Sequence, residues 1–151
     1  MSAETVSFAL SVAVIFAALL RAATPVILAA LGGLVSDLAG VINVALEGMM
    51  LVAAFGGVMG SAYAPMVFPF LPTWAYPLVG CAVGLGAALL ASLVLGLFHL
   101  EFGADLIVAG IVLNVLAAAG TVFLMVTLTG DKGSTANLSS HSLPTLAIPG
   151  L

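Results

Sequence analysis

Four long apolar runs, separated by short polar connections, constrain this chain more than any motif does. The runs are Val6–Val35, Val41–Gly60, Leu78–Leu97 and Leu106–Leu128. A helix of about 20 apolar residues crosses the hydrocarbon core of a bilayer, and the last three runs have that length. Only 5 % of the residues are charged, against about 25 % in soluble domains, so the chain lacks the polar surface of a water-soluble globule. We therefore expect an all-α, polytopic transmembrane helical bundle with about four or five membrane segments.

The first run is the longest, and it contains residues that favour a break. As one helix, Val6–Val35 would measure about 45 Å at 1.5 Å per residue, which exceeds the thickness of the hydrocarbon core. Pro25 lacks a backbone N–H and crowds the preceding turn, and Arg21 lies four residues before it. The sequence therefore predicts two segments, Val6–Leu20 and Ala22–Val35.

The second run carries polar residues where a membrane helix is usually apolar. A turn at 36–40 precedes it, and Ser36 or Asp37 is expected to cap the helix that follows. On a helix that begins at Val41, one face would carry a stripe of Asn43, Glu47, Met50 and Ala54. A carboxylate well inside a membrane helix costs about 2.5–3.5 kcal/mol, so such residues usually face a bundle interior or a watery cavity. We interpret the stripe as facing protein or a transport pathway; the alternative is that Glu47 lies at the membrane interface.

Small residues predict how the later runs pack. Gly56 with Gly60, and Gly80 with Gly84, form small-xxx-small pairs that allow close helix approach. The proline-rich stretch 61–77 predicts a surface loop, with Tyr63, Trp74 and Tyr76 as interfacial anchors.

The fourth run and the residues after it carry the remaining polar candidates. Its predicted inward face consists of Gly110, Asn114, Ala118 and Thr121. The Asn114 amide either bonds a neighbouring helix or lines a path, and the pattern leaves both open. After Thr129 the chain becomes polar, and His141 is expected to be exposed.

Composition and missing motifs exclude several kinds of chemistry. Two basic residues cannot form a nucleic-acid-binding surface, and one cysteine permits no internal disulfide. The sequence contains no phosphate-binding loop of the G-x-x-x-x-G-K-[ST] type and no hydrolase or zinc-protease motif. We predict no catalytic residue, no metal site and no cofactor.

Two segments resemble a known family. The first is T-P…A-L-G-G-L…A-G-V-I-N-V-A-L-E-G-M-M-L over 24–51, and the second is D-L-I-V-A-G-I-V-L-N over 105–114. In matching order over about 22–129, the chain is similar to permease subunits of bacterial ABC importers for simple sugars and nucleosides, the branch related to ribose permeases. The resemblance implies a substrate pathway, to which the polar inward residues are assigned: Asn43, Glu47, Gly48, Met50 and Asn114.

The resemblance also implies partners and a location. Such permeases lie in the bacterial inner membrane as dimers, homomeric or heteromeric, with two cytoplasmic ATPase subunits and a periplasmic or lipid-anchored substrate-binding protein. The N-terminus and residues 99–104 would be cytoplasmic, and 61–77 and 129–151 periplasmic. The family usually has a basic residue after the acid at Asp37, where this chain has Leu38. The family's second half has no counterpart, so residues 1–151 are expected to form one transmembrane domain, the N-terminal half of a permease, that does not transport alone.

Two other functions remain open at this point. One is a stand-alone oligomeric channel or secondary carrier, and the other is a non-transporting membrane scaffold. The residues do not decide between a nucleoside and a sugar as substrate.

Overall fold

The computed structural model describes residues 3–130 and 138–141, without the side chains of residues 3–6 and 9. The described residues form four long helices and no strand: α1 Ala3–Leu38, α2 Leu46–Val67, α3 Tyr76–Leu100 and α4 Leu106–Thr129, with a short 3-10 turn at Thr73–Ala75. All four are long and apolar enough to cross a membrane. The expected all-α bundle of membrane helices is confirmed.

The chain divides into two compact units at Ile42 and Asn43. The first unit contains α1, which is one helix of 36 residues with Pro25 in its interior, so the predicted break into two segments is wrong. The hydrocarbon core contains no water to hydrogen-bond backbone groups that leave a helix. A helix that continues through a proline is therefore favoured over a break. The expectation of one transmembrane domain over 1–151 stays a prediction.

The end of α1 is set by Gly40. Its φ of +79° is the left-handed conformation that glycine adopts without strain. The Val41 N–H donates to the Ser36 carbonyl at 3.0 Å and the Gly40 N–H to the Asp37 carbonyl at 2.9 Å, the pattern of a Schellman C-cap. The Ser36 hydroxyl donates to the Val41 carbonyl at 2.7 Å. The prediction that Ser36 or Asp37 caps the following helix is therefore wrong.

The second unit contains α2, α3 and α4, and two of its boundaries differ from the prediction. Helix α2 begins at Leu46 rather than Val41, and it runs through Pro65 to Val67. The proline-rich loop is accordingly short, because Pro77 lies in the first turn of α3, where a missing N–H costs nothing. Of the predicted interfacial anchors, Trp74 and Tyr63 are exposed, whereas Tyr76 is buried.

Helices α2 and α3 pack through facing glycines, as the small-xxx-small pairs predicted. A Cβ added to Gly84 would lie 2.6 Å from the Ala53 carbonyl oxygen, and one at Gly80 would lie 2.6 Å from the Gly57 carbonyl oxygen. Backbone therefore meets backbone along this contact. In lipid, where burial of apolar surface does not drive helices together, such close contact supplies the association energy.

Replacing Gly84 with alanine should destabilise the α2–α3 pair by about 1–3 kcal/mol, because the new methyl group forces two backbones apart. Gly86→Ala is the matched control in the same helix, since nothing lies within 4 Å of its added Cβ. That control should be neutral or stabilising by up to about 1 kcal/mol. Reversible unfolding in mixed detergent micelles measures both, and equal stability of the two variants would contradict the packing.

Candidate functional site

The amide of Asn114 on α4 holds the start of α2. Its Oδ1 accepts a hydrogen bond from the Gly48 N–H at 2.7 Å, and its Nδ2 donates to the Val44 carbonyl at 2.9 Å. The Gly48 N–H lies in the first turn of α2, where backbone donors have no partner within the helix. One side chain therefore satisfies both a backbone donor and a backbone acceptor where α2 begins. Of the two roles left open for Asn114, hydrogen bonding to a neighbouring segment is observed.

Two glycines allow this contact. A Cβ at Gly48 would lie 2.8 Å from Asn114 Oδ1 and 2.9 Å from Asn114 Cα, so a larger residue has no room. One turn earlier on α4, a Cβ at Gly110 would lie 3.1 Å from the backbone nitrogen of Ala45, which is fully buried. Helix α4 thus presents glycine and asparagine, four residues apart, to the backbone that enters α2.

Asp105 fixes where α4 begins, and therefore where Gly110 and Asn114 fall along that helix. Its side chain accepts hydrogen bonds from the N–H groups of Ile107 and Val108 at 2.8 and 3.1 Å, and it is the N-cap of α4. Asp105 therefore starts α4, and Gly110 allows the close approach of α4 to the backbone before α2. Asn114 then holds that backbone by hydrogen bonds. The 105–114 motif has a physical explanation at each of these positions.

The five predicted pathway residues fall into two groups. Asn43, Gly48 and Asn114 surround the start of α2, and Asn43 precedes the helix: its Oδ1 accepts from the Ala45 N–H at 3.0 Å and its Nδ2 lies 3.8 Å from Met49 Sδ. Glu47 and Met50 are exposed, as is Ala54. The stripe therefore lacks its first member, because α2 begins three residues after Asn43. The assignment of these residues to a substrate pathway stays a prediction.

Glu47 occupies the first turn of α2. A carboxylate there interacts favourably with the positive end of the helix dipole. Among the described residues no group of three or more histidine, cysteine, aspartate or glutamate side chains is placed to hold a metal ion. The chemistry available at this site is hydrogen bonding by the Glu47 carboxylate and the amides of Asn43 and Asn114.

A second polar cluster, which no sequence pattern indicated, is formed by Ser61, Tyr76 and His141. The Ser61 hydroxyl donates to the His141 carbonyl at 3.2 Å and accepts from the His141 N–H at 3.1 Å. The imidazole packs edge-on against Tyr76, with ring centroids 5.1 Å apart. His141 is half-buried rather than exposed as expected. Eighty residues separate Ser61 from His141, so no local pattern links them.

Comparison with known proteins places these residues in a family. Residues 15–147 match the model of the family described as the permease component of branched-chain amino acid transport systems. No solved structure matches the chain.

The curated relatives of the chain are also named as permease proteins of ABC transporters. The chain is 34 % identical over 138 residues to the guanosine ABC transporter permease protein NupQ of Bacillus subtilis, covering 91 % of this chain and 41 % of the relative. It is 37 % identical over 112 residues to the nucleoside ABC transporter permease protein NupC of Lactococcus lactis, covering 74 % of this chain and 34 % of the relative. A putative glucose ABC transporter permease protein, TsgC13 of Haloferax volcanii, is 34 % identical over 106 residues, covering 70 % and 29 %. The chain spans well under half the length of each of these relatives.

Asn114→Ala should loosen the entry to α2, because it leaves the Gly48 N–H and the Val44 carbonyl without their partner. Each such group costs about 1–3 kcal/mol when buried. Hydrogen exchange measured on the peptide covering 44–50 should accelerate. Thr121→Ala is the control, since its hydroxyl bonds only carbonyls of its own helix. Unchanged exchange at Gly48 in Asn114→Ala would show that the clamp does not hold this turn.

Proposed function

The chain belongs to the family of branched-chain amino acid transport system permease components, and on that premise we propose that it forms part of the membrane-spanning permease of an ATP-binding-cassette importer. The importer moves a nucleoside or a simple sugar across the inner membrane by alternating access. The observation that carries this proposal is the 34 % identity to a guanosine permease over 91 % of the chain. The four apolar helices agree with a multi-pass permease.

The nucleoside and sugar specificity rests on the named relatives. Two are named as permeases for guanosine or nucleosides and one for glucose. These solutes are uncharged and rich in hydroxyl groups, so they are recognised by hydrogen bonds rather than by ion pairs. Asn43 and Glu47 offer such groups near the start of α2, the Glu47 carboxylate as an acceptor and the Asn43 amide as both donor and acceptor.

Non-helical backbone next to a helix start is compatible with such a pathway. In membrane transporters, irregular backbone is tolerated where it lies within protein or lines a watery cavity, and substrate sites form at interrupted helices. The backbone ahead of α2, from Asn43 to Ala45, is non-helical and held by Asn114. We assign Asn43, Glu47, Gly48 and Met50 to the pathway, with Asn114 as the residue that positions this segment.

The partners follow from the same proposal. ATP hydrolysis is assigned to separate cytoplasmic ATPase subunits, and residues 1–151 contain no phosphate-binding loop. A second permease subunit completes the pathway, and a periplasmic or lipid-anchored binding protein delivers the solute. The membrane is the bacterial inner membrane.

A scaffold role has one observation in its favour. Both polar groups of the Asn114 amide bond backbone atoms, which is what a purely structural asparagine would do. Glu47 differs, because it is exposed. A variant at Glu47 therefore separates transport from scaffolding.

Glu47→Ala should abolish uptake of radiolabelled guanosine and glucose by the assembled transporter, while the subunit still inserts in the membrane. The physical reason is loss of the hydrogen-bonding carboxylate at the pathway. Glu101→Ala, which removes an exposed carboxylate at the end of α3, should leave uptake unchanged. Normal uptake by a well-inserted Glu47→Ala protein would refute the site assignment.

Uptake should also stop when cellular ATP is depleted while the membrane potential is maintained, because ATP hydrolysis on the partner ATPase subunits drives alternating access in this proposal. Unlabelled guanosine and glucose, added in turn as competitors, identify the solute class. Uptake that continues without ATP would favour the stand-alone channel or carrier.

A further inference from the structure

The polar side chains at the start of α2 differ in the hydrogen bonds that they can still offer to a solute. The Asn114 amide uses its oxygen for the Gly48 N–H and its nitrogen for the Val44 carbonyl. The oxygen of the Asn43 amide accepts from the Ala45 N–H at 3.0 Å. Both amides are half-buried and bond the backbone of the chain itself, so both serve first to hold this segment in shape.

Glu47 is the exposed polar member of the five pathway residues. Within the described residues of the second unit, its carboxylate has no hydrogen-bond or ion-pair partner. A carboxylate offers two acceptor oxygens in one plane and donates nothing. A solute group that pairs with Glu47 is therefore a donor, and two donors side by side occupy both oxygens, as in the bidentate pairs that carboxylates form with arginine.

The backbone that presents Glu47 is held in place. The next residue, Gly48, donates its N–H to Asn114, and a Cβ at Gly48 would lie 2.9 Å from the Asn114 Cα. Two residues before Glu47, Ala45 is fully buried, and its carbonyl accepts from the Met49 N–H at 3.0 Å. The first turn of α2 cannot slide along α4 without a clash. The carboxylate therefore projects from a preorganised position, which selective hydrogen bonding requires.

A second exposed side chain lies beside Glu47. Met50 is three residues further along α2, and positions i and i+3 are neighbours on one helix face, about 5–6 Å apart between their Cβ atoms. Met50 is 38 % exposed, and its thioether is a soft apolar group that packs favourably against aromatic rings. An acceptor next to a polarisable apolar group matches a solute that carries adjacent hydroxyls on one part and a flat aromatic ring on the other.

A ribonucleoside has both of these parts. Its ribose carries adjacent hydroxyl donors at the 2′ and 3′ positions, and its base is an aromatic ring. Acidic side chains bind a ribose hydroxyl in this way in dinucleotide-binding folds. A hexose has adjacent hydroxyls but no aromatic ring, and a 2′-deoxynucleoside has the ring but lacks the hydroxyl pair. The two basic residues, Arg21 and Lys132, lie outside the 43–50 segment, so that segment supplies no counter-charge for the phosphate of a nucleotide.

We propose that the solute is a ribonucleoside, that Glu47 accepts hydrogen bonds from its 2′- and 3′-hydroxyls, and that Met50 contacts its base. The inference rests on the proposed function, since it concerns the solute of that same pathway. Glu47 is then the residue that distinguishes a ribonucleoside from its 2′-deoxy analogue, and Met50 is the residue that distinguishes a nucleoside from a free sugar.

Competition against the uptake of radiolabelled guanosine by the assembled transporter tests the role of Glu47. Half-inhibition by 2′-deoxyguanosine should require about ten times the concentration of unlabelled guanosine or more, because one charge-assisted hydrogen bond is lost. Glu47→Gln keeps the length and one acceptor oxygen of the side chain. In this variant the ratio should fall to about threefold or less, since hydrogen bonds between neutral groups are roughly half as strong. Glu101→Gln, at the end of α3, should leave the ratio unchanged.

The role of Met50 has a different signature in the same assay. Met50→Ala should raise the half-inhibitory concentrations of guanosine and 2′-deoxyguanosine by the same factor, about threefold, because the contact with the base is lost in both. The ratio between the two nucleosides should stay at its wild-type value. Met66→Ala, which truncates an exposed methionine near the end of α2, is the control and should change neither concentration.

The substrate-binding protein is the same in every measurement, so a change of the ratio between wild type and variant reports on the permease. Equal half-inhibition by the two nucleosides in the wild type, or a tenfold ratio that persists in Glu47→Gln, overturns the role of Glu47. Unequal effects of Met50→Ala on the two nucleosides overturn the role of Met50. ATP-dependent uptake of glucose but not of guanosine overturns the ribonucleoside and leaves the importer standing, whereas absence of ATP-dependent uptake of either solute refutes the proposed function and the inference with it.

Discussion

The second unit depends on two hydrogen bonds of the Asn114 amide, which accepts from the Gly48 N–H and donates to the Val44 carbonyl. Hydrocarbon supplies no partner for a backbone group that leaves a helix, so each interruption needs a partner from the protein. An asparagine amide suits this role because it offers a donor and an acceptor on one rigid plane. The side chain thereby fixes where α2 begins, and with it the positions of Asn43 and Glu47.

The glycines allow the helices to come close enough for such backbone contacts. Gly48 and Gly110 let α4 approach the backbone that enters α2, and Gly80 and Gly84 let α3 approach α2. Close backbone contact replaces the large apolar core of a soluble protein, and few side chains of the second unit are buried. The exposed apolar surface that remains is what a membrane or further permease helices would cover.

Two of the acidic residues lie at helix starts, whereas Asn114 and Ser61 lie within α4 and α2. Asp105 caps α4, Glu47 lies in the first turn of α2, and Ser61 meets His141 beside the start of α3. Closely packed helices whose polar groups bond backbone near helix connections are a suitable frame for a permease. Helix α2 is held at two such places: Asn114 of α4 bonds its start, and Ser61 within it bonds His141.

The amino-acid sequence alone was enough to predict the membrane class, helices α3 and α4 and the α2–α3 glycine contacts, because apolar length and small-residue spacing are local signals. It also marked Asn114, since a polar residue in an apolar run needs a partner. The partners of Asn114 became known only from the folded chain, because the Val44 carbonyl and the Gly48 N–H lie 70 and 66 residues away in sequence. The same holds for the continuity of α1 and α2 through Pro25 and Pro65, and for the late start of α2, which removes Asn43 from the stripe. These outcomes depend on which backbone groups find partners across the fold, and that balance cannot be read from local propensity.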